Sequence, residues 1–228
     1  MTFDLAPLGD SALTIRVGVG LDEPTRLRVR AAVGALHDVE LSGVLDVVPG
    51  ISTVTLHYDP VAVSWKDLCQ RVEAALAGAA DKTVDDGHFV KIPVCYGGEF
   101  GPDLDAVATH ASLSGQEVID LHAAREYRVH VLGFLPGFAY LGGLDSRLET
   151  PRRVTPRDRV PAGSVGIAGM QTGVYPLESP GGWQLLGRSP VALFDPLHVP
   201  PTLLAPGDRV RFVAIDRAEF DRLAAAIA

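Results

Sequence analysis

From Tyr127 onward the chain is a series of short apolar runs cut by glycine and proline. The runs are YRVHVLGF, SVGIAG, WQLLGR, VALFD and DRVRFVAI, with Pro-Ala-Gly, Ser-Pro-Gly-Gly and Pro-Gly-Asp between them. No long helical stripe interrupts them until the closing RAEFDRLAAAIA. Runs of this length, ended by turn residues, are strands, and many short strands in succession form a closed barrel or a sandwich.

The first third follows a different pattern. Ser11–Gly18 alternates, with Leu13, Ile15 and Val17 on one face. Asp22–Val39 is helical, with Asp22 as its cap and Pro24 inside the first turn, where its missing N–H costs nothing. Gly43–Asp59 reads as a hairpin around Pro49-Gly50. Ser64–Gly78 is the clearest helix, opened by the pair Ser64 and Asp67 and striped by Trp65, Leu68, Cys69, Val72, Ala75 and Leu76. A strand follows at His88–Tyr96. The order βαββαβ is that of a ferredoxin-like unit, although that last strand could instead open the second domain. The small, polar and acidic stretch Ala77–Gly87 is the natural linker. The expected organisation is α+β: a small ferredoxin-like domain over residues 1–86 and a barrel domain over 87–228. Helices at Gly101–Ala111 and Ser114–Ala124 lead into the barrel, the second opened by a Ser114/Glu117 capping box.

Composition removes several classes of function. A formal net charge of −8 argues against nucleic acid as the main partner. The two cysteines, Cys69 and Cys95, match no metal spacing and read as free thiols of a reducing compartment. The histidines show no H-E-x-x-H spacing, so no metal is expected. The N-terminus lacks a signal-peptide pattern and no apolar run is long enough for a membrane span, so the expected location is the cytoplasm. There is no G-x-x-x-x-G-K-[ST] run.

Four segments carry candidate chemistry. VLGFLPGFAYLGGLD (Val131–Asp145) is a loop by its glycines yet strongly apolar, with Phe138 and Tyr140 as candidates for a cleft wall. In PAGSVGIAG, Ser164 followed later by Asp195 and His198 has the chain order of a hydrolase triad. The glycine-rich, β-like sequence after Ser164 does not suit the helix a nucleophile elbow requires. PRRVTPRDR places Arg152, Arg153, Arg157 and Arg159 in one loop of an acidic protein. Such a loop either binds a carboxylate or phosphate or pairs with local acids. In QTGVYPLESPGGWQLLGR, Gln171, Thr172, Tyr175, Glu178 and Ser179 could orient a small polar ligand. There Gly181 and Gly182 permit close backbone approach, and Trp183 could floor a pocket.

With these residues in view, the chain resembles the B-subunit family of bacterial 5-oxoprolinase. That family includes the Kip-type histidine-kinase inhibitor and the small protein once called allophanate hydrolase subunit 1. The matching stretches are PVCYGGEFGPDLDAVA (Pro93–Ala108), LGFLPGFAYLGGLD (Leu132–Asp145), Pro151–Arg188 and LLAPGDRVRF (Leu203–Phe212). They cover nearly all of the chain after Pro93. The resemblance implies a cyclophilin-like β-barrel and ATP-dependent opening of 5-oxoproline to glutamate, together with a homologous C subunit and an unrelated A subunit of 5-oxoprolinase. ATP would be used by the complex, since this chain has no phosphate loop. Arg152, Arg153 and Arg157 would face the substrate carboxylate or a phosphorylated intermediate, with Phe138, Tyr140, Gly181, Gly182 and Trp183 around the substrate. Gln171, Tyr175 and Ser179 are the candidates for placing the lactam or a water. The competing class is a regulator that blocks autophosphorylation of a sensor histidine kinase, and a homo-oligomer is also left open.

Overall fold

A computed structural model describes residues 3–20, 22–77 and 87–227. The chain divides into two compact units, one ending at Asp85 and the other starting at Asp86. Between its end residues, the stretch read as a linker lies outside the described residues.

The first unit contains β1 (Asp4–Pro7), β2 (Ala12–Arg16), α1 (Glu23–His37), β3 (Val44–Pro49), β4 (Thr53–Tyr58) and α2 (Trp65–Ala77). All its strand pairs are antiparallel, in the order β1-β2-β4-β3. The expected local signals are present. Asp22 accepts from Thr25 N at 2.7 Å, and Ser64 and Asp67 bond each other at the start of α2. Alternation puts Leu13, Ile15, Val54, Leu56 and Tyr58 in one core with Val29, Ala32 and Leu36 of α1 and Leu68, Val72 and Leu76 of α2. The element order is ββαββα, not βαββαβ. β1, which the sequence pattern did not show, lies beside β2 at the sheet edge, and Phe89–Tyr96 belongs to the other unit.

The second unit is a closed seven-stranded barrel. Its strands in chain order are β5 (Phe89–Tyr96), β6 (Tyr127–Leu132), β7 (Ala139–Gly142), β9 (Ser164–Ala168), β10 (Gln171–Val174), β12 (Gln184–Arg188) and β13 (Arg209–Ala214), and they close in the order β10-β7-β6-β13-β5-β12-β9. β13 runs parallel to β5 over six residue pairs, and every other barrel pairing is antiparallel. β8 (Arg157–Val160) and β11 (Ser179–Gly181) form a separate two-stranded ribbon. Between β5 and β6 lie α3 (Leu104–Ala111) and α4 (Gly115–Ala123), whose Val107 and Val118 enter the barrel core with Ile92, Val129, Leu141, Ile167, Leu186 and Phe212. The Ser114/Glu117 capping box is formed. VALFD is not a strand: Phe194 makes a single bridge to Thr202, because Pro190, Pro196, Pro200 and Pro201 remove the donors a ladder needs. The terminal helix α5 (Arg217–Ile227) sets Phe220 against Phe100, ring centroids 4.4 Å apart.

Gly101 marks the tightest backbone approach in this unit. A Cβ there would lie 2.0 Å from the Leu186 carbonyl oxygen, and that same oxygen accepts from Gly97 N at 2.9 Å, so neither side can give way freely. Gly101→Ala is therefore expected to cost about 3 kcal/mol. A urea unfolding midpoint equal to the parent's would contradict this.

Candidate functional site

The barrel wall made by β7, β9, β10 and β12 is buried on both faces. Neighbouring residues along these strands divide between two clusters, as a two-residue period requires. Leu141, Ile167, Val174 and Leu186 fill the barrel, while Tyr140, Ala168, Tyr175 and Leu185 belong to a second, aromatic cluster. Phe138 and Trp183 complete that cluster, and Val160 of the β8–β11 ribbon covers part of it.

Phe138 is its hub. Its ring centroid lies 4.9 Å from Tyr140, 5.2 Å from Tyr175, 5.4 Å from Trp183 and 5.5 Å from Phe134, each pair edge to face. Phe138 and Trp183 are buried, Tyr140 is half-buried, and Phe134 stands 59 % exposed with a φ of 69°, a backbone conformation rare for an aromatic residue. Above these rings is a cleft of about 250 Å³, bounded by Phe134, Phe138, Tyr140, Arg152, Pro156, Tyr175, Pro180, Gly181, Gly182 and Trp183. Gly181 is needed as glycine, since a Cβ would meet the Tyr175 hydroxyl at 2.5 Å.

Burial pushes the Tyr175 phenol up, against the pull of a backbone hydrogen bond from Trp183 and the charge of Arg152. Burial also raises Tyr140, again opposed by Arg152. Both phenols therefore stay protonated at neutral pH and can donate.

The four arginines of PRRVTPRDR have three destinations. Arg159 makes a two-pronged bond to Glu178, both contacts 2.9 Å. Arg153 Nη1 and Arg157 Nη2 both donate to Asp103 Oδ1, at 2.9 and 2.8 Å. Arg152 lines the cleft and has no ion-pair partner among the described residues. The resemblance implies that Arg152, Arg153 and Arg157 face the substrate carboxylate or a phosphorylated intermediate; in the structure Arg152 borders the cleft, while Arg153 and Arg157 bond a carboxylate inside the protein. Tyr175 lines the cleft, but Gln171 and Ser179 are not among its lining residues. Ser179 is buried and its hydroxyl bonds the Pro180 carbonyl at 3.2 Å, while Gln171 opens β10. Ser164 opens a strand, β9, and not the helix a nucleophile elbow needs, while Asp195 and His198 bond each other in an exposed loop.

Two buried polar residues carry no sequence signal. Asp103 sits buried at the start of α3, where an aspartate would ordinarily be read as a helix cap. His122 is wholly buried on α4. Thr172 Oγ1 donates to the Gly166 carbonyl, so it accepts from His122 Nε2 at 2.8 Å, leaving Nδ1 to accept from the Tyr96 hydroxyl at 2.7 Å. Both cysteines are free and half-buried, their thiols raised by burial. No group of metal-ligating side chains and no helix long and apolar enough to cross a membrane occurs among the described residues.

Residues 3–204 match the family model described as carboxyltransferase domain, subdomain C and D. The chain is similar to the 5-oxoprolinase B subunit of Bacillus subtilis, 45% identical over 96% of this chain and 95% of that one. It is also similar to the 5-oxoprolinase B subunit of Escherichia coli O157:H7, 43% identical over 90% and 93%. Among solved structures, TTHA0988 superposes with a TM-score of 0.78 at 42% identity. The match covers 90% of this chain and only 40% of that one, so the present chain spans well under half of that protein. The urea amidolyase of K. lactis shares the fold, with a TM-score of 0.80 at 21% identity over 96% of this chain and 15% of that one. The chain belongs to the carboxyltransferase subdomain C and D family and, within it, to the B-subunit family of 5-oxoprolinase.

Proposed function

We propose that the chain is the B subunit of an ATP-dependent 5-oxoprolinase complex that opens 5-oxo-L-proline to L-glutamate together with the A and C subunits in the cytoplasm. The observation that carries this reading is the similarity, at 43% to 48% identity, to proteins named as B subunits of 5-oxoprolinase. In it the barrel is cyclophilin-like and residues 87–228 form its domain. The first unit is a ferredoxin-like domain over residues 1–86, in which β1 takes the sheet position of the missing last strand.

The aromatic cleft is the substrate site of this reading. Ligand pockets for drug-sized molecules run from roughly 300 to 1,000 Å³. A cleft of about 250 Å³ suits a five-membered lactam and not a nucleotide triphosphate. ATP is accordingly assigned to the assembled complex, which agrees with the lack of a phosphate loop in the sequence. Phe138, Tyr140 and Trp183 would enclose the ring, Gly181 and Gly182 would let it approach the backbone, and Arg152 would take the carboxylate. The Tyr175 phenol, held protonated, would donate to the lactam carbonyl. Arg153 and Arg157 support this site from Asp103.

Copurification with the two other subunits, followed by an assay of glutamate release from 5-oxoproline, tests the reading. Release that requires ATP and all three proteins is expected. No release from the complete, assembled complex would overturn it.

A further inference from the structure

The residue that organises the cleft does not line it. Asp103 occupies the N-cap position of α3, yet its carboxylate makes no capping bond to the helix. It thereby forgoes the stabilisation an aspartate ordinarily gives at that position. Both its oxygens are used elsewhere. Oδ1 accepts from Arg153 and Arg157, 50 and 54 residues away, and Oδ2 accepts from Leu185 N at 2.7 Å, 82 residues away. The Asp103 backbone N–H donates back to the Leu185 carbonyl at 3.1 Å. Three donors satisfy a carboxylate that is 3% exposed, so no acceptor is left buried and unpaired.

These bonds hold Arg152 from both sides. Arg153, after it, is tied to Asp103 through its guanidinium and to the Gly182 carbonyl through its own N–H at 2.8 Å. Pro151, before it, offers its carbonyl to Gln184 Nε2 at 3.0 Å. Every anchor lies in the segment 182–185 or on Asp103, which is itself bonded to Leu185. Arg152, the residue between the anchors, is the one arginine of its loop that faces the cleft without an ion-pair partner among the described residues.

We infer that Asp103 is a positioning residue that sets Arg152 at the cleft so that the site reads a carboxylate on its ligand. This rests on the substrate reading above. It adds that selectivity for the carboxylate of a small lactam is built from outside the cleft, by a buried aspartate on a helix that contributes nothing to its lining.

The test compares two probes on the assembled complex, 5-oxoproline as substrate and 2-pyrrolidinone, the same lactam without the carboxylate, as competitive inhibitor. The ratio of the 2-pyrrolidinone Ki to the 5-oxoproline KM reads what the carboxylate contributes. In Asp103→Asn, whose amide cannot accept on both sides, that ratio is expected to fall about tenfold while kcat changes less. A variant that is only misfolded in part would lose active sites, lowering kcat and leaving the ratio intact, and that result overturns the inference. Should Asp103→Asn fail to assemble, Arg153→Met cuts the link from Asp103 to the residue beside Arg152 and leaves Arg157 to pair with Asp103. A smaller fall in the ratio is then expected, and an unchanged ratio again overturns it. Absence of turnover in the unmutated complex would instead overturn the substrate reading itself.

Discussion

Arg152→Met is expected to raise the KM for 5-oxoproline by about 10- to 100-fold and to change kcat by far less. The magnitude comes from the net worth of a hydrogen-bonded ion contact, about 1.5–3 kcal/mol, where each 1.4 kcal/mol is a factor of ten. The direction comes from the site. A carboxylate that takes no part in the bond cleavage is bound alike in the ground and transition states, and losing uniform binding appears in KM. Methionine keeps much of the apolar stem, so the shape of the cleft wall is disturbed little. Steady-state kinetics of the reconstituted complex measure the effect, with Arg159→Met as the control. Arg159 pairs with Glu178 on the exposed edge of the ribbon, and an exposed ion pair contributes little. Equal effects from the two substitutions would mean that the loop acts through its total charge and not through Arg152.

Local chemistry is the legible part of this chain. The caps at Asp22, Ser64 and Ser114 act within three residues of sequence, and each is found as read. Glycine and proline punctuation locates most strands of the barrel for the same reason. VALFD, apolar enough for a strand, is excluded by its flanking prolines. β1 leaves no signal because DLAP is too short to show a period and ends in proline, a feature tolerated at a sheet edge. The greasy loop is legible as a contradiction, apolar yet full of turn residues. Its resolution needs the second buried face of the barrel wall, which appears in sequence only as strands that fail to alternate. The fate of the arginines is legible only as two open alternatives, an outside anion or acids of the chain itself. Arg152 and Arg153 are adjacent and chemically identical, and only Asp103, 50 residues before Arg153, separates their roles. A long-range pairing of one buried carboxylate with two of four arginines leaves no periodic or local signal.

His122 makes stability depend on pH above the range in which the carboxylates titrate. Burial alone lowers its pKa from 6.5 to about 3, because nothing near it favours a cation. Its ring is stacked on Phe212 at 4.6 Å, flanked by Tyr127 and held between the Tyr96 hydroxyl and Thr172. Burial keeps the phenols of Tyr96 and Tyr127 well above their ordinary range, so neither supplies a negative charge. The folded chain thus keeps His122 neutral while the unfolded chain protonates it below pH 6.5. Its stabilising contribution is complete above that pH. It falls as pH drops toward 3, by about 1.4 kcal/mol per pH unit and on the order of 4 kcal/mol in total. The carboxylates with lowered pKa values, Asp145 and Glu117 among them, lose their contributions below about pH 4.5, the top of their ordinary range. The interval from pH 6.5 to 4.5 therefore separates the histidine from these carboxylates. His122→Gln, which cannot take up a proton there, is expected to be less stable than the parent at pH 8, because an amide cannot span the Tyr96 and Thr172 contacts with the same geometry. Its urea midpoint should nevertheless change little between pH 6.5 and 4.5, where the parent's falls steeply. Parallel pH dependence in the two proteins would show that the acid sensitivity arises elsewhere, and that the barrel tolerates a protonated His122.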